Sequence, residues 1–353
     1  MNDLSGYRIA PIDPATAPAH ELRKIATLRQ SFGREWMPDD PPTPLEVIEQ
    51  RYRTQPESRW SAHFAARDDH DAIVGLASTG YDATETTNRH LRWSELYVHP
   101  EHRRRGLGRE LLRRLAAAVA DQGTGIMLMT QTTDRITAGA AFASMVGASA
   151  GLPSRMNQLT LAEVDRAKVA EWASVHPAGY RLERLDGPTP DRFISTWIEA
   201  AEAMNDAPRG NLAMEDGHLT ADQIREWNDW ERTVGIERWL ILAVHEATGQ
   251  GAGFTAVTYD PKIEHEIWQQ GTAVTRAHRG HRLGLWMKAT MLKRILTERP
   301  RALYVRTNNA NANAQMLAIN TQLGFRQAAS TLLWQIPAAR APVAPMRHLS
   351  SPR

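Results

Sequence analysis

The chain contains no cysteine. This absence excludes disulfide bonds, thiolate metal sites and a cysteine nucleophile. The sequence also has no apolar run long enough to span a bilayer, and its first residues contain no apolar signal region. We therefore expect a cytoplasmic protein that does not associate with a membrane, and we predict no metal site.

A large excess of charge of either sign is absent as well. The sequence has 42 Lys and Arg against 40 Asp and Glu, which leaves a net charge of +2. This balance argues against a nucleic-acid-binding protein, because the basic residues of such a protein would dominate one face. The arginines instead cluster locally, at residues 103–105 and 279–282. Clusters of this size suit a small anion.

The second half of the chain repeats the first. The segment 98–108 recurs at 274–284, 176 positions later, and the Gly-Tyr-Arg segment 6–8 recurs at 179–181, 173 positions later. A nearly constant spacing across half a chain indicates two copies of one domain. A length of 353 residues is enough for two domains that each bury a core of their own.

In each copy, predicted strands lead into predicted helices, a pattern typical of mixed α/β proteins. We predict an α/β fold with a mixed sheet, built from two tandem domains. The predicted boundaries are an N-terminal domain at 1–161, a helical linker at 162–178, a C-terminal domain at 179–336 and a Pro/Ala-rich flexible tail at 337–353.

Both copies contain a strand, an Arg/Gly-rich turn and a helix. The first turn reads Arg-x-x-Gly-x-Gly over residues 103–108, whereas in the second, at 279–284, Arg282 replaces the first glycine. The pattern resembles motif A of the GNAT acyl-CoA N-acyltransferases, and residues 313–325 resemble the closing helix-to-strand signature of that family. The resemblance covers both halves and implies two tandem GNAT domains.

The resemblance also implies that each turn binds the pyrophosphate of acetyl-CoA. A helix N-terminus attracts negative charge through its free N–H groups and its dipole. Glycines let the backbone approach closely, and Arg103 or Arg279 can add charge-assisted hydrogen bonds. In the family, one backbone N–H of the preceding strand faces the thioester carbonyl and stabilises the oxyanion; Val98 and Val274 occupy that place. The predicted cofactor-binding residues are Val98, Arg103, Arg104, Arg105, Gly106, Leu107, Gly108, Arg109, Val274, Arg279, Gly280, His281, Arg282, Leu283, Gly284 and Asn313.

Acyl transfer to an amine needs a base that takes up a proton and an acid that returns one to the leaving thiolate. Glu95 lies where many relatives keep a carboxylate; as a surface residue of a strand, it is alternatively a partner of Arg92. The corresponding place in the second copy is Gly271. The substitutes near it are Glu264, Glu266 and Gln270, of which Glu266 is the predicted catalytic residue.

The usual acid of the family is a Tyr four residues before the closing Gly. Ala143 and Asn320 stand at that place, and neither donates a proton as a phenol does. We retain Asn320 as a candidate catalytic residue of the second copy and name Tyr97 as an alternative acid. Asn313 fits a family position that binds the pantetheine or thiol end, and an Asn at a helix start is also a common cap.

The polar loop at 205–216 lies where the family covers the acceptor side. It supplies Asn205 and Asp206 as predicted substrate-binding residues, because its carboxylates can meet a cationic amine. Turn formation is the alternative explanation of the same residues. The predicted partner is a small-molecule amine, and the pattern does not specify an oligomeric state.

The function predicted from these features is acetyl-CoA-dependent N-acetyl transfer to a primary amine of a small molecule, by direct attack in a ternary complex. Two alternatives stand beside it. One is a coenzyme A-binding sensor or scaffold with one or both halves inactive, and the other is a peptide or protein N-acetyltransferase. By analogy with tandem relatives, the second copy is the preferred catalytic half, because its closing helix and acceptor loop are better developed.

Overall fold

The computed structural model describes residues 4–341. Within this range each half of the chain forms six strands, and one further helix, α5 (Arg166–Ser174), connects the two halves. The elements of the first half are β1 (Arg8–Pro11), α1 (Ala19–Trp36), α2 (Leu45–Arg53), β2 (Arg59–Arg67), β3 (Ile73–Asp82), β4 (Leu91–Val98), α3 (Leu107–Ala118), β5 (Met127–Thr133), α4 (Thr137–Met145) and β6 (Ser149–Thr160).

The second half repeats the order of the first. Its elements are β7 (Tyr180–Asp186), α6 (Asp191–Ala201), α7 (Ala221–Val234), β8 (Glu237–His245), β9 (Gly251–Tyr259), β10 (Glu266–Val274), α8 (Leu283–Glu298), β11 (Tyr304–Ala310), α9 (Ala314–Leu323) and β12 (Arg326–Pro337). Local sequence signals explain several of these bounds. Thr220 and Gln223 form a reciprocal capping box at the start of α7, and Gly235 ends that helix in the left-handed conformation.

The twelve strands form one mixed sheet in the order β1-β2-β3-β4-β5-β12-β6-β11-β10-β9-β8-β7. Two pairs are parallel, β4 with β5 and β10 with β11, and the other neighbours are antiparallel. The predicted mixed α/β fold is therefore confirmed. The helices cover both faces of the sheet, as the alternation of side chains along β2 shows: Ala65 packs with α1, whereas Ala66 packs with α3.

The final strands of the two halves are exchanged. β6, which ends the first half, pairs with β11 of the second half over Tyr304↔Thr160 to Ala310↔Ser154. β12, which ends the second half, pairs with β5 of the first half over Thr331↔Thr133 to Pro337↔Met127. Each half is thus completed by a strand from the other. The sequence boundaries at 161 and 179 stay a prediction, since the sheet is continuous across them.

Each parallel pair is short and then separates. β4 pairs with β5 only from Leu91 to Trp93, and β10 pairs with β11 only from Glu266 to Trp268. Immediately after Trp268 the register between β10 and β9 shifts, between Gln269 and Thr272. A β-bulge of this kind bends its strand, so β10 moves away from β11 and a cleft opens between them.

The C-terminal part of the described range is ordered up to its end. β12 finishes at Pro337, and residues 338–340 form a short 3-10 turn. The predicted tail at 337–353 therefore begins within an ordered strand, and its residues 342–353 lie outside the described range. No helix among residues 4–341 combines the length and the apolar character needed to cross a membrane.

Candidate active site in the second half

A cavity of about 1000 Å³ lies between the separated ends of β10 and β11. The first turns of α8 form its floor, and α9 borders it on the side of β11. Its opposite wall comes in part from the first half and from the exchanged strands. The residues of that wall are Trp93, Gln131, Leu152, Ser154 and Leu333. The cavity therefore depends on both halves, although its deepest part belongs to the second.

The turn at 280–284 lies at one end of this cavity. The backbone N–H groups of residues 280–284 donate to no acceptor within residues 4–341, and the same holds for residues 104–108 of the first half. The turn leads directly into α8, so these donors converge where the helix dipole also favours negative charge. Free N–H donors at a helix N-terminus are the kind of groups that bind a phosphate.

The two turns share one backbone conformation but place their glycines differently. The first turn has positive φ at Arg104 (63°) and Gly106 (93°), and the second has positive φ at Gly280 (86°) and Arg282 (60°). Each turn therefore holds one arginine in the left-handed region, which costs a side-chain-bearing residue roughly 1–2 kcal/mol. The departure at Arg282 from the family pattern does not alter the path of the turn.

The first arginine of each turn binds other groups of the protein. Arg103 donates from Nε to the carbonyl oxygen of Val98 at 3.0 Å and binds Glu35 with both terminal nitrogens. Arg279 donates to the carbonyl oxygen of Val274 at 3.2 Å and binds Asp206. The motif predicts that these two guanidinium groups bind phosphate, whereas in the structure both are occupied by carboxylates. Arg282 is exposed, and its side chain has no hydrogen bond or ion pair within the described residues.

The remaining turn residues have structural contacts. Arg105 donates to the hydroxyl group of Tyr7 at 3.0 Å, and Arg109 contacts the sulfur of Met145 at 3.9 Å. His281 lies against the ring of Tyr180, with centroids 5.2 Å apart. The leucines that follow each turn, Leu107 and Leu283, are buried in the two cores. Val274, Gly280, Arg282, Leu283 and Gly284 line the cavity.

In the first half, the end of α1 spans the mouth of the corresponding cleft. Glu35 binds Arg103 beside the end of β4, and the carbonyl oxygen of the next residue, Trp36, accepts a hydrogen bond of 3.1 Å from Arg135 beside the end of β5. Arg135 also donates to the carbonyl oxygen of Ala328, at 2.9 Å. The two edges of the cleft are thus tied together across α1.

Glu95 and Tyr97 lie in this first half, away from the large cavity. The guanidinium of Arg29 stacks on the ring of Tyr97, 4.1 Å from its centroid, and lies 4.0 Å from the carboxylate of Glu95. Burial raises the pKa of Tyr97 well above its usual value. A phenol with a raised pKa in a buried cluster keeps its proton, so Tyr97 is poorly suited to proton donation at neutral pH.

Glu266 and Asn320 belong to the second half, but neither lines the cavity. Glu266 accepts a hydrogen bond of 2.8 Å from Arg306, which also binds Asp40. Asn320 is buried and donates from Nδ2 to Asn309 at 2.8 Å. The structure thus places Glu266 in a buried ion-pair network, and Asn320 holds the end of β11.

Asn313 has the contacts of a helix cap. Its side chain accepts a hydrogen bond of 3.2 Å from the backbone N–H of Met316 at the start of α9, and it also lines the cavity. The capping explanation of Asn313 therefore applies, and its side chain remains next to the cleft.

The two predicted substrate-binding residues, Asn205 and Asp206, differ in their contacts. Asn205 donates to the carbonyl oxygen of Gly217 and accepts from the N–H of the same residue, both at 2.9 Å, so it closes the loop on itself. Asp206 lines the cavity, but hydrogen bonds from Arg276 and Arg279 lower its pKa. Asp206 is the one carboxylate among the described lining residues, and two guanidinium groups already neutralise it.

Lys288 is a site residue that the sequence motifs do not indicate. It is 3% exposed, lines the cavity and lies on α8, one turn after Gly284. The signal in the sequence is the repeat itself: 176 positions earlier stands Leu112, a buried residue of α3. A lysine in the place of a core leucine marks a local difference between the copies.

The chain is similar in sequence to known acetyltransferases. Residues 25–145 match the model of the acetyltransferase (GNAT) family. The chain is 28% identical over 287 residues to a mycothiol acetyltransferase from Parafrankia sp. (strain EAN1pec), with 76% of this chain and 81% of that protein covered.

Two solved structures are similar over nearly the whole chain. A tandem GNAT protein from the clavulanic acid biosynthesis pathway superposes with a TM-score of 0.76 at 23% identity and covers 96% of this chain and 100% of its own. A GCN5-related N-acetyltransferase from Sphaerobacter thermophilus superposes with a TM-score of 0.65 at 15% identity, with 96% and 97% covered. At these identities the likeness concerns the fold.

Proposed function

We propose that the chain is a tandem GNAT N-acetyltransferase whose second half transfers an acetyl group from acetyl-CoA to a primary amine of a small molecule. The match of residues 25–145 to the acetyltransferase (GNAT) family and the similarity to a mycothiol acetyltransferase support this proposal. The amine attacks the thioester directly while both substrates are bound. The observation that carries this proposal is the cavity of about 1000 Å³ that connects the turn at 280–284 with the boundary between the halves.

The turn at 280–284 supplies the contacts for the pyrophosphate. Its N–H groups have no acceptor among the described residues and its residues line the cavity, and Gly284 keeps the first turn of α8 free of a side chain. Arg282 adds a positive charge that no carboxylate of the described residues neutralises. Charge-assisted hydrogen bonds to phosphate are stronger than neutral ones. Arg282 therefore binds the phosphate in place of Arg279, to which the motif assigns this contact.

The strand β10 supplies the donor for the oxyanion. Thr275 donates its N–H to the carbonyl oxygen of Ala252 on the strand side away from the cleft, at 2.9 Å. Successive N–H groups of a strand point to opposite edges, so the N–H of Val274 points into the cleft. A fixed donor in this position stabilises the negative charge that develops on the thioester oxygen.

The wall opposite the turn supports a small, amphipathic acceptor. It combines the indole of Trp93 and the side chain of Leu152 with the amide of Gln131, and it contains no free carboxylate among the described residues. A relative that is named for acetyl transfer to mycothiol, a small molecule, supports the same class of acceptor. The segment 204–208 also lines the cavity, through Met204, Asp206 and Pro208.

The proposal is tested first by binding and then by turnover. Calorimetry with coenzyme A measures affinity and stoichiometry for the wild type and for two matched variants, Arg282→Asn and Arg104→Asn. Each variant removes one positive charge at a position of positive φ, and Asn tolerates that conformation. We expect Arg282→Asn to weaken binding about tenfold or more, because a hydrogen bond to a charged group contributes about 1.5–3 kcal/mol.

Turnover is measured as transfer of a labelled acetyl group from acetyl-CoA to a panel of small primary amines. We expect acetylated product from at least one amine, with a rate that falls together with cofactor affinity in Arg282→Asn. A larger loss of coenzyme A affinity in Arg104→Asn would show that the coenzyme A site lies in the first half. Binding without transfer to any amine of a broad panel would support the alternative in which the cavity only holds coenzyme A.

A further inference from the structure

Lys288 lies at the vertex of the cleft, where β10 leaves β11. Trp268 is the last residue of β10 that pairs with β11, and Gln269 follows it directly. The Nζ of Lys288 lies 3.2 Å from Oε1 of Gln269. Both side chains line the cavity, so the amine of Lys288 is fixed at the inner end of the space between the strands.

The orientation of Gln269 is set by its other contacts. Its amide nitrogen donates to the carbonyl oxygen of Ala256 at 2.6 Å and to Oγ1 of Thr255 at 3.1 Å. The amide nitrogen therefore faces β9, and the amide oxygen faces Lys288. The Nζ of Lys288 also lies over the ring of Phe325, 5.2 Å from its centroid. Gln269 is a positioning residue that holds the lysine.

Lys288 has no ion-pair partner within residues 4–341. Burial without a carboxylate disfavours the ammonium form and lowers the pKa of Lys288 to about 7. An amine with a pKa near neutrality exchanges a proton readily at neutral pH, which is the property that general acid–base catalysis requires. Fixed geometry and this pKa together distinguish Lys288 from an ordinary structural lysine.

Four other ionisable residues line the cavity among those that the structure describes. They belong to the turn or to its partners: Asp206, His278, Arg279 and Arg282. None of the predicted catalytic residues Glu95, Tyr97, Glu266 and Asn320 lines the cavity. Among the described lining residues, Lys288 is thus the ionisable group at the vertex, on the face of the sheet where α8 and α9 pack.

The first half lacks this arrangement. Leu112 stands 176 positions before Lys288 and packs in the apolar cluster under β2 and β3. A leucine at the same helix position buries no charged group, whereas a buried lysine is rare unless it is paired. The second half therefore carries an unpaired buried amine only where its cavity opens, and packing does not account for it.

We propose that the Nζ of Lys288 is the proton donor for the sulfur of coenzyme A during acetyl transfer. This assignment rests on the proposed function. The amine nitrogen bonds to the thioester carbon, and the carbon–sulfur bond breaks with its electron pair on sulfur. The sulfur takes a proton from the ammonium of Lys288. The attacking nitrogen loses one proton, which restores the ammonium form directly or through water, so that protons and charge balance over the cycle.

The first experiment measures the titration of the lysines in the unaltered protein. The chain has only five, Lys24, Lys168, Lys262, Lys288 and Lys293, so selective ¹³Cε labelling resolves them by NMR, with Lys288→Met for assignment. We expect the Lys288 signal to titrate near pH 7 and to shift when coenzyme A is added. The proposal is overturned if the Lys288 signal titrates near the ordinary pKa of a lysine. It is also overturned if the signal does not shift on addition of coenzyme A although calorimetry detects binding.

The second experiment tests proton donation through the leaving group. Lys288→Met should lower kcat with acetyl-CoA on the order of 100-fold, within the range of general acid catalysis. With the acetyl thioester of 4-nitrothiophenol, whose thiolate leaves without a proton, the loss should be several-fold at most. Lys293→Met, an exposed lysine of the same helix, is the control with unchanged rates. An equal loss with both donors indicates a structural role and overturns the assignment.

The two proposals fail in distinguishable ways. If coenzyme A does not bind to the wild type, or binds without acetyl transfer to any amine, the proposed function is wrong. If transfer occurs but the Lys288 signal is indifferent to coenzyme A, or the loss in Lys288→Met does not depend on the donor, only the assignment of Lys288 is wrong.

Discussion

The two halves have the same order of elements and differ in what borders the cleft. In the first half, the end of α1 connects the separated strands through Glu35 and Trp36. In the second half, Asp206 binds the turn, and the following loop reaches across to the first half, where Asn211 donates its N–H to the carbonyl oxygen of Gly151 at 2.9 Å. The first half has the shorter connection, residues 37–44, after the helix end that spans its cleft. The second half has the longer one, residues 202–220, beside the cavity of about 1000 Å³.

A binding motif and a binding site are therefore separate properties of this protein. The first turn matches the family pattern more completely, yet the large cavity lies beside the second turn, which has lost one glycine. Backbone N–H groups are available in both turns. What distinguishes the second half is the space behind its turn and the polar side chains at the vertex of that space.

The strongest effect that we expect tests which strand supplies the oxyanion donor. Val274→Pro removes the N–H that points into the cleft and leaves the ladder to β9 intact, because that N–H is not part of it. We expect kcat to fall about 100-fold to 1000-fold with little change in coenzyme A affinity, as for loss of one oxyanion donor. Steady-state kinetics and calorimetry measure the two quantities. A larger fall in kcat for the matched variant Val98→Pro would show that the first half, and not the second, supplies the oxyanion donor.

A second effect concerns the stability cost of Lys288. The folded state holds the pKa of Lys288 at about 7, below the unfolded value of 10.5, so between these values the unfolded chain binds more protons. The cost is therefore present in full below pH 7 and disappears as the pH rises towards 10.5. Lys288→Met should raise the free energy of unfolding at pH 6–7 by about 1–4 kcal/mol, as for other buried charges replaced by apolar residues.

Denaturant unfolding at several pH values measures this difference. The gain should shrink steadily as the pH increases from 7 to 10, and a gain that is independent of pH would contradict the argument. The reciprocal change in the first half, Leu112→Lys, introduces an amine into an apolar cluster and should destabilise the protein at neutral pH.

A weaker effect concerns the turns. Arg282→Gly removes a side chain from a residue with φ of 60° and should relieve strain, but the added flexibility of the unfolded chain offsets part of the gain. We expect a net stabilisation of about 0.5 kcal/mol, together with weaker coenzyme A binding. Thermal unfolding without ligand and calorimetry with coenzyme A separate the two effects. Arg104→Gly should stabilise the first turn equally; unequal gains would show that the turns differ in strain.

Much of the fold is predictable because its signals are local. The repeat spacing indicates two copies, and apolar periodicity and capping residues locate most helices, such as α2 and α7. The phosphate turn is recognisable because glycines and a strand–turn–helix order are properties of short segments. The partners of Arg103 and Arg279 are not predictable in the same way, since Glu35 and Asp206 lie about 70 positions away in sequence.

For the candidate catalytic residues, too, the local sequence indicates the residue but not its partners. The place of Glu266 on a strand makes it a candidate base, but its carboxylate is occupied by Arg306, which also binds Asp40 from the other half. No motif singles out Lys288, although comparison of the two copies marks it as a departure from Leu112. A lysine in a sequence is normally an exposed residue, and only the packing of α8 against β10 reveals that this one is buried.

The duplicated α/β fold, the resemblance to the GNAT family and the position of both turns follow from the order of residues alone, because each depends on patterns within short stretches of chain. Packing in three dimensions was needed to establish that the final strands are exchanged, that one cleft is open while the other is spanned, and that Lys288 lies at the vertex. Strand partners, burial and ion pairs depend on residues that are distant in sequence, and the same local patterns are compatible with several such arrangements.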